Sequence, residues 1–261
     1  MDWLGKEFPF STNSLKGKYA IVCGASKGIG AATAKMLAKA GANVTAVSRN
    51  PHELVSQLEG DGHRAVSLDL ENQDDINKFI SSVEFCHILI NNAAGPPGGP
   101  LIENKIEDFE APFRRHLFAS HALVKALVPK MEEVGYGRIV NIISTSVREP
   151  IPNIGLSNTL RGAMASWAKS LSRELPTCVT INNVLPGFTD TDRLGSLAAS
   201  INEKTGKSIE DIHAGWMSQV PIERLIDPLE TGAAITYLCL PISGGIRGVS
   251  LAVDGGRMRS I

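Results

Sequence analysis

The chain of 261 residues is 43% hydrophobic and 20% charged, with a formal net charge of −1. That is the length and make-up of one α/β domain or two small ones. The charge balance provides no basic surface for nucleic acid or an acidic membrane, and no apolar run reaches the roughly 18 residues of a membrane span. The first segment, Met1 to Lys16, carries Asp2 and Glu7 and no apolar centre. It reads as an arm rather than a signal peptide, and a cytoplasmic location is expected. Its Trp3, Phe8 and Phe10 stand in an otherwise polar stretch, the pattern of a loosely docked tail, with cover for a neighbouring subunit as the alternative. Cys23, Cys86, Cys178 and Cys239 form no C-x-x-C pair and read as reduced thiols. The histidines make no metal-ligand spacing, and His116 and His121, five apart on an expected helix, point to different faces. No metal site is expected.

In chain order, the apolar run Tyr19 to Val22 predicts a strand, and Ala31 to Ala40 is strongly helix-forming. Between them lies Gly24-x-x-x-Gly28-x-Gly30. Glycines let a backbone turn tightly and approach a pyrophosphate, and a new helix offers that anion free N–H groups and a positive dipole end. A plain strand-to-helix turn is the alternative for a glycine cluster taken alone. The second strand is Asn43 to Ser48. In NAD sites an acidic residue about 20 positions past the glycines holds the ribose 2′-hydroxyl. Here Ser48 stands at that distance, no Asp or Glu occurs between Gly41 and His52, and Arg49 and Lys27 are nearby. Two cations without a carboxylate favour a 2′-phosphate, hence NADP(H), unless both are solvated surface charges.

A helix over 51–59 follows, then a strand over 64–68 ending at Asp69. Asn72 is placed to cap a helix to Ser82, with Asp74 and Asp75 in its first turn. A strand over 87–91 leads into Asn91-Asn92-Ala93-Ala94-Gly95. Helices over 112–133 and 156–175 flank a strand over 137–144, and a further strand spans 177–184. The stretch from Asp192 to Pro221 carries Leu194, Leu197, Ile201, Ile212, Trp216 and Met217, which either line an apolar pocket or pack a lid, with packing as the default. Asp227 caps a helix from Pro228 to Cys239, and a last strand runs over 251–253. The alternation predicts an α/β, Rossmann-type doubly wound parallel sheet of about seven strands with helices on both faces. Ligands then bind at the edge where the strands' C-terminal ends gather. The expected organisation is an arm over 1–16 and one domain over 17–261, with a lid near 190–220.

Several segments together resemble the short-chain dehydrogenase/reductase family. They are the glycine loop, Asp69, Asn91-Asn92-Ala93-Ala94-Gly95, the strand Gly137 to Ser144, Pro186-Gly187-Phe188-Thr189-Asp190-Thr191 and Leu251 to Gly256. The resemblance covers nearly everything after Leu15. It implies cofactor contacts from Gly24, Ser26, Lys27, Gly28, Ile29, Gly30, Ser48, Arg49, Asp69, Leu70, Asn91, Ala93, Arg161, Pro186, Gly187, Thr189 and Thr191. It implies a dimer or tetramer built on the helices over 112–133 and 156–175. It also implies a tetrad. A tyrosine protonates the carbonyl oxygen, a lysine holds the nicotinamide ribose, a serine bonds the substrate oxygen and an asparagine supports a water relay.

Ser144 matches the serine. The tyrosine's place, thirteen residues on, is Ser157; the lysine's, four further, is Arg161; the asparagine's is His116. No tyrosine lies between Gly137 and Leu185. Arginine stays charged and cannot shuttle a proton, and serine is a far weaker acid than a phenol. The resemblance therefore implies an NADP(H)-dependent oxidoreductase of a carbonyl or alcohol substrate, with Ser144, Ser157 and Arg161 in the site and His116 as a candidate acid, though a helix histidine in a polar contact is an equal reading. Two alternatives stay open: an inactive NADP(H)-binding protein, and a non-redox cyclase or dehydratase on the same scaffold.

Overall fold

The computed structural model describes residues 10–260; Trp3 and Phe8 of the arm lie outside them. Seven strands form one parallel sheet in the order β3-β2-β1-β4-β5-β6-β7. They are β1 (Tyr19–Cys23), β2 (Asn43–Ser48), β3 (Arg64–Ser67), β4 (Ile88–Asn91), β5 (Gly137–Ile142), β6 (Val179–Pro186) and β7 (Ser250–Val253). β4, β5 and β6 are buried at every residue, as central parallel strands covered on both faces must be. Their side chains divide between two cores. Ile88, Ile90 and Val140 pack beneath helices α1 (Gly28–Lys39) and α9 (Pro228–Cys239). Leu89, Ile139 and Ile181 pack beneath α3 (Gln73–Ser82), α5 (Ala119–Glu133) and α6 (Gly155–Glu174). The strand period of two sends alternate residues to opposite layers.

Most element boundaries match the sequence expectation to within a residue or two, and two differ in instructive ways. The helix expected over 51–59 is only α2 (His52–Val55). Leu54 is its one buried residue, so no packing offsets the ordering of another turn. The helix expected from Pro112 begins five residues earlier, as α4 (Glu107–Phe113). Asp108 receives the Lys105 N–H at 2.8 Å, and the acidic first turn suits a helix N-terminus. Between α4 and α5 the chain passes through a π-helical turn, Arg114–Phe118. Such a turn re-aims side chains and is common at functional sites; this one buries His116.

The arm is not loose where it is described. Leu15 is fully buried in the α1/α9 core, and its N–H reaches the Ala40 carbonyl at 2.8 Å. Packing of the domain therefore starts before residue 17. Phe188, Leu194, Leu197, Ile201 and Met217 pack around Ala198, Ile212 and Trp216 in the region of α7 (Asp192–Thr205) and α8 (Ile209–Met217), so the packing reading of that apolar set holds. Asp227 caps α9 in a full capping box with Glu230. Among the described residues no helix is long and apolar enough to cross a membrane.

His87, just before β4, is buried. Its Nδ1 accepts the Tyr19 N–H at 3.2 Å, and burial, assisted by Lys18, pushes its pKa down to about 4. The ring is neutral in the fold and takes up a proton near 6.5 once unfolded. A depressed histidine thus contributes stability that is complete above about pH 6.5 and is lost as pH falls toward about 4. We expect the urea midpoint to drop between about pH 7 and about pH 4.5, with His87→Gln flattening part of the drop; an unchanged slope in that variant would locate the loss elsewhere.

Candidate active site

The sheet order reverses between β1 and β4, so the loops that leave these two strands diverge and open a crevice at their C-terminal ends. The glycine loop leaves β1 and is closed by Asn92, whose Nδ2 donates to the Gly24 carbonyl at 3.1 Å. Gly24 has φ +59°, and a Cβ on it would lie 2.6 Å from Asn92 Nδ2. A Cβ on Gly30 would lie 2.2 Å from the Gly24 carbonyl oxygen. Only glycine fits either position. α1 then starts with no side-chain cap and no acid in its first turn, leaving its N–H groups and dipole uncompensated, as an anion site requires.

The other expected cofactor positions gather around this start. Ser48 ends β2 and is buried, and its hydroxyl has no partner; Arg49 beside it is exposed. Lys27 reaches Asp192 at the start of α7, 3.2 Å away, so the second expected cation is tied to α7. Ser26 and Asp69 are exposed on their loops, and Ile29 is half-buried. Leu70, Asn91, Ala93 and His116 line one small internal cavity of about 10 Å³, roughly room for a water. Pro186 ends β6, and Gly187 fits so closely against the Asp254 backbone that a Cβ would lie 2.7 Å from it. Thr191 caps α7 by accepting the Leu194 N–H at 3.4 Å. Its methyl lies 3.3 Å from where a Gly28 Cβ would stand, and Thr189 is buried between. The start of α7 thus touches the glycine loop directly.

On the other side of the crevice, Ser144 follows β5 and accepts the Ser146 N–H at 3.0 Å, which leaves its own proton free to donate. Ser157 and Arg161 sit one turn apart on α6. Ser157 is half-buried, and its hydroxyl meets no hydrogen-bond partner among the described residues. Arg161 is 8% exposed, and its Nη1 donates to the Ile142 carbonyl at 2.9 Å. Burial, with Arg193 nearby, pulls its pKa down to about 10, which still leaves it charged.

His116, the candidate acid, has both ring nitrogens in polar contacts. Its Nε2 faces the Ala94 carbonyl at 2.9 Å and its Nδ1 faces Arg161 Nη1 at 3.5 Å. A carbonyl can only accept, so the Nε2 proton is committed there. Burial and the Arg161 charge hold the ring well below its ordinary pKa. It is a neutral acceptor that steadies Arg161. His121 lies on the outer face of α5, where it accepts the Trp167 indole N–H at 3.3 Å.

Sequence reasoning missed two features. Asn91 donates to Asn141 at 2.8 Å, Asn141 to Asn183 at 2.9 Å, and Asn183 to the Ser250 hydroxyl at 3.1 Å. This ladder joins β4 to β7 beside the crevice and leaves Asn91 Oδ1 unpaired. The available signal was asparagine inside three largely apolar strands: Asn91, Asn141 and the pair Asn182-Asn183. The second is Arg193, whose Nη2 donates to the Pro96 carbonyl at 2.7 Å; no local pattern marked it. Among the described residues no group of three or more His, Cys, Asp or Glu could hold a metal ion.

A helix start left open toward a crevice at the sheet's reversal point places the chain among the Rossmann-type nucleotide-binding proteins. Comparison narrows this. The family profile described as enoyl-(acyl carrier protein) reductase matches residues 24–257. The 3-oxoacyl-(acyl-carrier-protein) reductase of Vibrio cholerae is 32% identical over 252 residues, covering 93% of this chain and 98% of its own; that of Escherichia coli is 32% identical with the same coverage. The solved structure of L-sorbose reductase from Gluconobacter frateurii with NADPH and L-sorbose superposes with a TM-score of 0.88 at 26% identity, covering 96% of this chain and 100% of its own. An actinorhodin polyketide ketoreductase with NADPH superposes at 0.87 and 26% identity, covering 93% and 98%. The chain belongs to the short-chain dehydrogenase/reductase family.

Proposed function

We propose that the chain is an NADP(H)-dependent oxidoreductase acting on a carbonyl or alcohol substrate through an atypical site. The observation that carries the reading is the glycine cradle with its uncapped helix start, next to a β2 end that offers Arg49 and an unpaired Ser48 hydroxyl but no carboxylate. The residues fit such a cofactor. Gly24, Ser26, Gly28, Ile29 and Gly30 would hold the diphosphate, and Ser48, Arg49 and Lys27 the 2′-phosphate. Asp69, Leu70, Asn91 and Ala93 would flank the adenosine side, with Pro186, Gly187, Thr189 and Thr191 closing over the nicotinamide side. When bound, the cofactor supplies or accepts hydride.

The chain's own part is then limited by its side chains. Ser144 donates a hydrogen bond from its free hydroxyl to the substrate oxygen. Arg161, bonded to the Ile142 carbonyl with His116 beside it, would stand beside the nicotinamide ribose. Ser157 is too weak an acid to give up its proton outright but can relay one, taking a proton from solvent as it passes its own to the substrate oxygen, which replaces the missing phenol at a lower rate. Homo-oligomer formation is part of the same reading, supported by an outer groove between α3, α5 and α6 that Phe118, 53% exposed, helps to line. A cytoplasmic setting fits four cysteines that all stand unpaired.

Fluorescence titration with NADPH and NADH tests the reading. NADPH is expected to bind more tightly, and Arg49→Asp is expected to weaken NADPH by about 10–100-fold while sparing NADH, the worth of a charge-assisted bond. Equal binding of both, or binding of neither, would overturn the assignment.

A further inference from the structure

The arginines of the domain are used unequally. Arg115 spends Nε and Nη2 on Glu71 and Nη1 on the Ala94 carbonyl. Arg138, equally buried, gives all three nitrogens to main-chain carbonyls of Gly137, Cys178, Leu240 and Pro241. Arg247 also bonds through all three. Arg161 bonds through Nη1 alone. Its Nε and Nη2, the edge that accepts a carboxylate side-on, meet no partner among the described residues, and no carboxylate forms an ion pair with it. Its Nη2 is directed at Gly95, where a Cβ would lie 3.7 Å from it and 3.8 Å from Arg193 Nη2. Two guanidinium groups thus converge on one point of the crevice: Arg161, 8% exposed, and Arg193, exposed on α7, whose Nη2 also donates to the Pro96 carbonyl at 2.7 Å and whose other nitrogens make no bond among the described residues. A neutral hydroxyl would leave that double charge unbalanced; an anion would not.

We propose that Arg161 and Arg193 together bind a carboxylate on the substrate, so that the protein takes a small oxo acid or hydroxy acid rather than a neutral ketone or alcohol. The proposal rests on the oxidoreductase reading for the remainder of the substrate. The cofactor's diphosphate is the other anion in reach, but it has its own cradle at Gly24 to Gly30, after a different strand. The arginine pair instead lies by the loop after β4 and the end of β5, where Arg161 holds the carbonyl two residues before Ser144.

Calorimetric titration of acetoacetate and of its neutral methyl ester tests this, with and without saturating NADP+, conditions in which nothing is reduced. Acetoacetate is expected to bind at least about tenfold more tightly than the ester. Arg193→Gln should bring it to the level of the ester, Arg193→Lys should restore part of the difference, and NADP+ affinity should be unchanged in both variants. Equal binding of acid and ester overturns the proposal. So does an Arg193→Gln variant that loses NADP+ affinity but no acetoacetate affinity, since the pair would then serve the cofactor. If wild-type protein binds no NADP+ yet distinguishes acid from ester through Arg193, the anion site stands and the oxidoreductase reading falls.

Discussion

Placing tyrosine at 157 and lysine at 161 together is expected to raise the reduction of a small neutral ketone by NADPH about 10²–10⁴-fold, the usual worth of a positioned acid. The positions are one turn apart on α6 and face the same side. Ser157 is half-buried without a hydrogen-bond partner, so a phenol there extends into the crevice instead of into a filled core. The lysine inherits the Ile142 carbonyl, and its charge four residues away lowers the phenol's pKa. Each single change should do less: tyrosine alone lacks an adaptable ammonium beside it, and lysine alone lacks the acid. The decay of NADPH absorbance measures the rate. If the double variant binds NADPH as the parent does and gains nothing, Ser157 and Arg161 do not stand where proton transfer and ribose contact occur.

Gly30→Ala is expected to abolish measurable NADPH binding, a loss of about 100-fold or more, and to destabilise the fold by about 1–3 kcal/mol. The added methyl would overlap a main-chain oxygen, at 2.2 Å from Gly24 O, so a backbone segment rather than a side-chain tip has to move. What moves is the turn that aims the α1 N–H groups. Gly215→Ala is the matched control. That glycine lies within α8 with nothing near its missing Cβ, and the change should stabilise by about 0.5–1 kcal/mol. Thermal melts of both variants, with and without NADPH, separate a local loss of the cradle from general weakening. A Gly30→Ala protein that still gains stability from NADPH would contradict the placement of the diphosphate.

The parts legible in the sequence were those that depend on near neighbours along the chain. Strand and helix alternation, the glycine loop, the Asn72 and Asp227 caps and the pairing of Ser157 with Arg161 all depend on spacings of a few residues, and spacing is what a sequence displays. His116 shows the boundary. Its place in the chain was legible, and a polar contact was one of its two readings, but the partners were not, because the Ala94 carbonyl and the Arg161 guanidinium arrive from 22 and 45 residues away. The π-helical turn that buries it carries no local mark, since its residues are ordinary helix formers. Arg193 was hidden for the same reason: only the fold brings the first turn of α7 against the loop after β4.

The asparagine ladder imposes a direction on the sheet. Each amide nitrogen points from β4 toward β7, so turning Asn141 over would set two donors face to face at one joint and two acceptors at the other, and turning Asn91 or Asn183 alone would set like groups against Asn141. The three side chains therefore reverse together or not at all, and the Ser250 hydroxyl, able to give or take a proton, is the one member indifferent to which sense prevails. At the opposite end the sense is visible as the bare oxygen of Asn91. Whatever settles against that oxygen, water or ligand, reports on the orientation of an amide two strands away.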